Sequence, residues 1–237
     1  MNQTILHAAL LSHVPRYGTI YGTLLNYCGA LEALGDAVNQ APYKAPPKAP
    51  VLYIKPRNTL IGATDPIAVP ADAPELHIGA TLGIVIGRTA CALAEAEALS
   101  HVAGYVVVND VSVPHASYYR PSVRFKCRDR SCPIGPIASA ASVGDPDMLS
   151  INVWLDGLLV QQNSTANMIR SVPRLLADVT DFMTLQPGDV LLTGVPEQAP
   201  RARAGQRVTV EIERVGRLDN LLLDEVVVVA ATALAQP

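Results

Sequence analysis

Residues 77–87 read HIGATLGIVIG, the profile of a strand that runs inward and stops at a glycine. Side chains at 77, 79 and 81 share one face of such a strand, so Gly79 and Thr81 decide what that face offers a pocket. Outward from it the same texture repeats. VLYIKP, TLIGATDPIAVPADAP, YVVVNDVSV, INVWLDGLLV, DVLLTGVP, QRVTVEIERVG and LLLDEVVVVA are short β-rich runs parted by turn residues. Helical spacing is confined to LEALGDAVNQ (31–40), AEAEALSHV (94–102) and SVPRLLADVTDFM (171–183). The last carries Pro173 near its start, where a missing N–H costs little. Numerous, unevenly spaced strands with few helices between them argue against a doubly wound sheet. They predict a strand-rich α+β fold, a mixed sheet folded over into a roll with two or three covering helices. Four prolines within residues 42–50 forbid both helix and central strand. The stretch therefore reads as a connector, with a small N-terminal segment at 1–45 and the main domain at 46–237.

Of the 237 residues, 49% are hydrophobic and 16% charged, a composition able to bury a sizeable core and far from the disordered class. Eighteen Lys and Arg against 21 Asp and Glu give a net charge of -3, with no basic stripe to draw the chain to nucleic acid or an anionic membrane. The cysteines Cys28, Cys91, Cys127 and Cys132 lack zinc-knuckle or redox spacing and read as reduced thiols. No apolar run reaches the eighteen or so residues of a membrane span, and the N-terminus lacks the features of a signal peptide. A cytoplasmic protein is expected. GIVIGRTA lacks the three-glycine dinucleotide pattern, and G-x-S-x-G is absent.

Chemistry concentrates in NDVSVPHASYYRPSVRFKCRDRSCPIGP, residues 109–136. Asp110 follows the run YVVV, so its carboxylate emerges at a strand end, where it can point into a cleft and hold a hard cation. An Asn-Asp pair that merely closes its own turn fits the local pattern equally well. Arg120, Arg124, Lys126, Arg128, Asp129 and Arg130 crowd eleven positions of a chain otherwise sparing with charge. They read either as a solvated basic loop or as an anion site, with arginines pairing to substrate carboxylates and Lys126 as a point charge or proton donor.

Taken in order, PPKAPVLYIKPRNTLIG, the strand ending VIG, GYVVVNDVS, the lysine followed by CPIGP, QQNSTANMIRSVPRLL and LQPGDVLLTGVP resemble the fumarylacetoacetate hydrolase family. Within it the likeness is strongest to the isomerase/decarboxylase branch of aromatic-acid (4-hydroxyphenylacetate) breakdown, and there to one half, or one subunit, of a two-repeat enzyme. The resemblance implies a β-rich roll holding one Mg²⁺ or Mn²⁺ on three carboxylates. That metal grips a 2-oxo acid or its enol and stabilises the enolate formed on decarboxylation or proton shift. Asp110 matches the third carboxylate and Lys126 the family lysine, the two catalytic candidates. Gln161, Thr165, Thr193 and Gly194 fall on motif positions around the pocket, and Arg124 and Arg128 are expected to read the anionic substrate. The first two carboxylates, a Glu-x-Glu pair, fall on Gly79 and Thr81 and are missing. His77 shares their face, but one neutral imidazole does not replace two carboxylates for a hard cation, and His77 reads as structural. Glu75 lies about 13 Å from the first lost position along an extended strand. Where relatives often carry arginine after NDVS, this chain has Pro114. Metal binding is expected to be weak or absent. The chain is expected to form a homo- or hetero-oligomer with a homologous subunit, and apolar runs such as DEVVVVAATAL suggest buried edges.

Overall fold

The computed structural model describes residues 17–115, 118 and 122–228. β1 (Ile20–Leu24) comes first, followed by the short helix α1 (Cys28–Glu32). After the proline-rich stretch come β2 (Val51–Lys55), β3 (Leu60–Ile61), β4 (Ile67–Val69), β5 (Leu76–His77) and β6 (Ala80–Ile86). α2 (Glu95–Ala98) leads into β7 (Val102–Asn109), and the single turn α3 (Val123–Lys126) into β8 (Cys132–Pro133), β9 (Ala138–Ser139) and α4 (Ala140–Val143). The chain continues through β10 (Ser150–Leu155), β11 (Leu158–Ser164), α5 (Val172–Thr180), β12 (Val190–Leu192), β13 (Arg201–Ala202), β14 (Arg207–Ile212) and β15 (Gly216–Asp224).

Two mixed sheets carry the fold. The larger has the order β2-β1-β12-β6-β7-β9 and the smaller β11-β10-β14-β15-β4, while β13-β5 and β3-β8 form two short pairs. Only β1-β12 within the first and β15-β4 within the second run parallel. This is the strand-rich α+β roll expected from the sequence. The expected boundary at residue 45 falls between β1 and β2, which pair along all five residues of each.

β6 sits at the middle of the larger sheet and every one of its residues is buried, which is why HIGATLGIVIG shows no polar alternation. Ala80, Leu82, Ile84 and Ile86 face the main core shared with Val107 on β7 and with Ile151, Val210 and Leu218 of the smaller sheet. Val85 faces a second cluster with Val106, Val108, Ile134 and Val190. Each such Ile or Leu contributes roughly 2 kcal/mol on leaving water.

α5 covers one flank. Ser171 caps it by accepting from the Arg174 amide, and Val172, Leu175, Leu176 and Val179 form its buried stripe. The expected helix at 31–40 is instead α1 plus a 3₁₀ turn at Gly35–Asn39, because Gly35 takes a left-handed φ of 50° and interrupts the α-helix there. The run LLLDEVVVVA is strand only to Asp224, and residues 225–228 are helical. Asp224 is the last residue paired to β4, at Val69; Pro70 follows and has no N–H with which to extend the ladder. The remainder of DEVVVVAATAL lies outside the described residues. Among the described residues, no helix is long and apolar enough to cross a membrane.

Candidate functional site

Asp110 follows the last residue of β7 and is 1% exposed. The backbone around it is stitched to the residue before β6: Gly79 N–H donates to Asn109 Oδ1 at 2.9 Å, and Asp110 N–H donates to Gly79 O at 2.8 Å. This close approach leaves no room at position 79, where a Cβ would overlap the Asp110 carbonyl oxygen and meet Val195 Cγ2 at 3.1 Å. Thr81 is fully buried and does not line the cavity described below.

Two ammonium groups hold the Asp110 carboxylate. Lys126, at the end of α3, places Nζ 2.6 Å from Oδ2, and Lys55, at the end of β2, places Nζ 3.1 Å from Oδ1. Tyr53 donates its hydroxyl to Oδ2 and lies with its ring 4.4 Å from Lys126 Nζ. Lys55 is itself buried, donating to the carbonyls of Val111 (3.1 Å), Lys126 (2.5 Å) and Ser131 (3.2 Å). Burial works to raise the Asp110 pKa, but Lys126 and Lys55 outweigh it and bring the carboxyl down to about 2. The Tyr53 phenol is pushed well above its ordinary range by burial and then by the charge on Asp110.

β2 and β7 stand four inter-strand spacings apart in the sheet order, roughly 19 Å if the sheet were flat. Lys55 and Asp110 meet at 3.1 Å, so the sheet curls until its first strand closes on the end of its fifth. Ionic contacts join them there where no ladder bond does. Gly22 on β1 makes the closure possible, since a Cβ there would overlap the Tyr53 ring.

Asp110 and Lys126 lie on a cavity of about 360 Å³. His77, Gly79, Ser112, His115, Glu197 and Arg201 are among the residues of its polar wall, while α1 and the residue after it contribute only Ala30 and Ala33. His77 accepts a hydrogen bond from Arg201 Nε at 3.2 Å, and Arg201 is also 3.6 Å from Glu75. Burial, reinforced by Arg201, lowers the His77 pKa; burial and Lys126 lower that of His115. Both shifts favour the neutral imidazole.

The remaining expected residues are placed as follows. Thr193 and Gly194 are buried and do not line the cavity, the Thr193 carbonyl accepting from Asn26 Nδ2 at 2.9 Å. Gly194 takes a φ of 110°, a conformation that favours glycine. Gln161 reaches the cavity loop through Nε2, which donates to Glu197 O at 2.6 Å. Thr165 lies elsewhere, its hydroxyl accepting from the Leu149 amide at 2.8 Å. The cationic cluster disperses. Arg124 and Arg128 pair with Asp72 outside the cavity, and Arg130 donates to Pro66 O at 3.3 Å. Arg120 lies outside the described residues. Sequence reasoning missed Lys55, Tyr53, His115 and Arg201. Lys55 precedes Pro56 at a strand end and reads locally as a solvated charge.

Residues 19–223 match the family profile described as fumarylacetoacetate (FAA) hydrolase, C-terminal. The 4-hydroxyphenylacetate degradation bifunctional isomerase/decarboxylase of Escherichia coli is 41% identical over 208 residues, 88% of this chain and 48% of that protein. An oxaloacetate tautomerase of Escherichia coli (strain K12) is 32% identical over 194 residues, covering 79% of this chain and 85% of that one. Among solved structures, fumarylpyruvate hydrolase from Pseudomonas aeruginosa, in complex with Mn²⁺ and pyruvate, superposes with a TM-score of 0.78 at 27% identity, covering 88% of this chain and 91% of that chain. The chain spans about half the length of the bifunctional relatives it matches.

Proposed function

The chain belongs to the fumarylacetoacetate hydrolase family, and from that premise we propose that it is one subunit of an isomerase/decarboxylase for anionic 2-oxo-enoates of aromatic-acid breakdown, with its own metal site degenerate. The observation that carries this reading is the state of Asp110. A hard dication asks for several oxygen ligands. Here one carboxylate is already met by Lys126 at 2.6 Å and Lys55 at 3.1 Å, and the backbone at Gly79 excludes a side chain. One negative and two positive charges leave the cluster net cationic, so the residues present do not fit Mg²⁺ or Mn²⁺. A net cationic floor suits an anionic substrate. In this reading Asp110 and Lys126 form the reacting end of the cavity, with Thr193, Gly194 and Gln161 shaping the wall behind it. Arg124, Arg128 and Thr165 act outside it.

The metal-dependent step then belongs to a homologous subunit that carries the carboxylate pair. A chain spanning about half of its 41% identical relative supports a second half elsewhere. So does the outer strand β11, where Leu158, Leu159 and Val160 are exposed.

The test is calorimetric. A ligand bound only by the folded state raises the melting temperature by mass action, so millimolar Mn²⁺ is expected to move that of this chain by less than about 1 °C. A rise of several degrees, lost in Asp110→Ala, overturns the degenerate site. Co-expression with a family member bearing the intact Glu-x-Glu is expected to yield a complex that decarboxylates 2-oxo acids. Decarboxylation by this chain alone contradicts the division of labour.

A further inference from the structure

Among the described residues, His115 is one of the cavity residues that keep a buried polar atom without a hydrogen-bond partner, with Thr23, Asp110 and Glu197. Its Nδ1 lies 2.9 Å from the Val113 carbonyl oxygen, and a carbonyl only accepts, so Nδ1 carries the hydrogen. The neutral ring then holds its lone pair on Nε2, which is buried and without a partner. The ring is fixed by a parallel stack on Phe125, 5.1 Å between centroids and 7° between planes. Phe125 in turn lies one residue before Lys126 on α3, so the helix that supplies the ammonium also sets the imidazole. His77 differs in kind, because its Nε2 is already occupied by Arg201.

A buried acceptor and a lysine that keeps protons beyond the one given to Asp110 line the same cavity. That pair is complementary to an enol, whose hydroxyl donates to one and whose oxygen accepts from the other. Resting on the function proposed above, we infer that His115 Nε2 is the proton acceptor for an enol of a 2-oxo acid bound in this cavity, and that it serves enol-to-keto conversion without a metal. In that step the enol O–H bond breaks and its proton passes to Nε2. The oxygen electron pair closes the C=O bond, and the C=C pair takes the proton from Nε2 at the neighbouring carbon. The ring returns to its starting tautomer, and nothing else is consumed. Lys126 stabilises the oxygen as negative charge builds on it. Decarboxylation, which needs a stronger electron sink, remains with the metal-bearing partner.

The probe is the enol form of oxaloacetate, followed by loss of its ultraviolet absorbance with the purified chain in excess EDTA. The wild type is expected to accelerate the decay above buffer, unchanged by the chelator. His115→Asn keeps a side-chain N–H for Val113 while deleting Nε2, and is expected to lose about 100-fold of the acceleration. His115→Gln tests the same loss should the asparagine variant melt early, and His101→Gln, on a half-buried histidine that does not line the cavity, retains the wild-type rate. Acceleration that survives in a folded His115 variant, or that disappears with EDTA, overturns the assignment. So does a wild type that leaves the decay at the buffer rate. That last result overturns the His115 role alone, whereas a melting temperature that climbs with Mn²⁺ overturns the function on which it rests.

Discussion

Substituting Lys55 by methionine removes a buried ammonium while keeping most of the volume of its aliphatic stem. Three consequences are legible in the structure. Asp110 Oδ1 loses its ion-pair partner at 3.1 Å, while Oδ2 keeps Lys126 and Tyr53. The Val111 carbonyl loses the Lys55 bond at 3.1 Å. The Lys126 and Ser131 carbonyls each retain another donor, Ser131 Oγ and the Val111 amide respectively. Removing one partner of a buried pair costs about 3–5 kcal/mol, and the surviving Lys126 places this case near the lower end. One newly unsatisfied carbonyl adds about 1 kcal/mol. The sum is about 4 kcal/mol, a large share of the roughly 5–15 kcal/mol that holds a domain folded. It corresponds to a fall in melting temperature of roughly 10 °C for a chain of this size. Urea denaturation of the wild type, Lys55→Met, Asp110→Asn and the double variant closes a double-mutant cycle. With the carboxylate neutralised, losing the ammonium should hurt far less, giving a coupling of about 2–3 kcal/mol. A Lys55→Met cost under about 1 kcal/mol, or a coupling indistinguishable from zero, refutes the argument that these charges hold the edge of the sheet to Asp110.

Three further outcomes follow from the same geometry. Asp110 has its folded pKa lowered from 3.8 to about 2, so the unfolded chain binds the proton more tightly. The stability this contributes, about 2 kcal/mol, is complete above about pH 5 and fades as pH falls toward 2. Wild-type melting temperature should therefore drop more steeply than that of Asp110→Asn over that window, and parallel curves would contradict it. Gly79→Ala places a methyl on the Asp110 carbonyl and should cost about 2 kcal/mol in urea; a neutral substitution would show that the two backbones are free to part. Gly22→Ala should push the Tyr53 ring off Asp110, so spectrophotometric titration should show one tyrosine ionising at lower pH than in the wild type.

What the sequence disclosed and what it hid divide along contact range. The inward strand read over 77–87, which the structure forms over 80–86 with Ile78 and Gly79 outside it, the helix announced by Ser171 and Pro173, and Asp110 at a strand end are set by neighbours a few residues away. The structure bears out these local readings. Lys126 and Asp110 lie sixteen positions apart, and family likeness singled out both. Lys55 could not be found that way. It meets Asp110 only because the sheet curls, and nothing in VLYIKP distinguishes a lysine that will bind three carbonyls from one that will face water. The arginines show the reverse. Their density suggested convergence, yet Arg124 and Arg128 turn to Asp72, a residue more than fifty positions away. At Gly79 the lost carboxylate is legible in the sequence, while the Asp110 backbone packed against it is not.

Among the described residues β2 is the outermost strand of its sheet, bonded to β1 on one side only, and a strand so placed normally frays first. Here it is pinned from within. Lifting it away would draw Tyr53 and Lys55 out of a buried cluster and strand a carboxylate beside a single lysine. The amide protons of residues 51–55 that bond to β1 should accordingly trade with deuterium as slowly as those of the central strands, turning the rim of the sheet into one of its most reluctant parts.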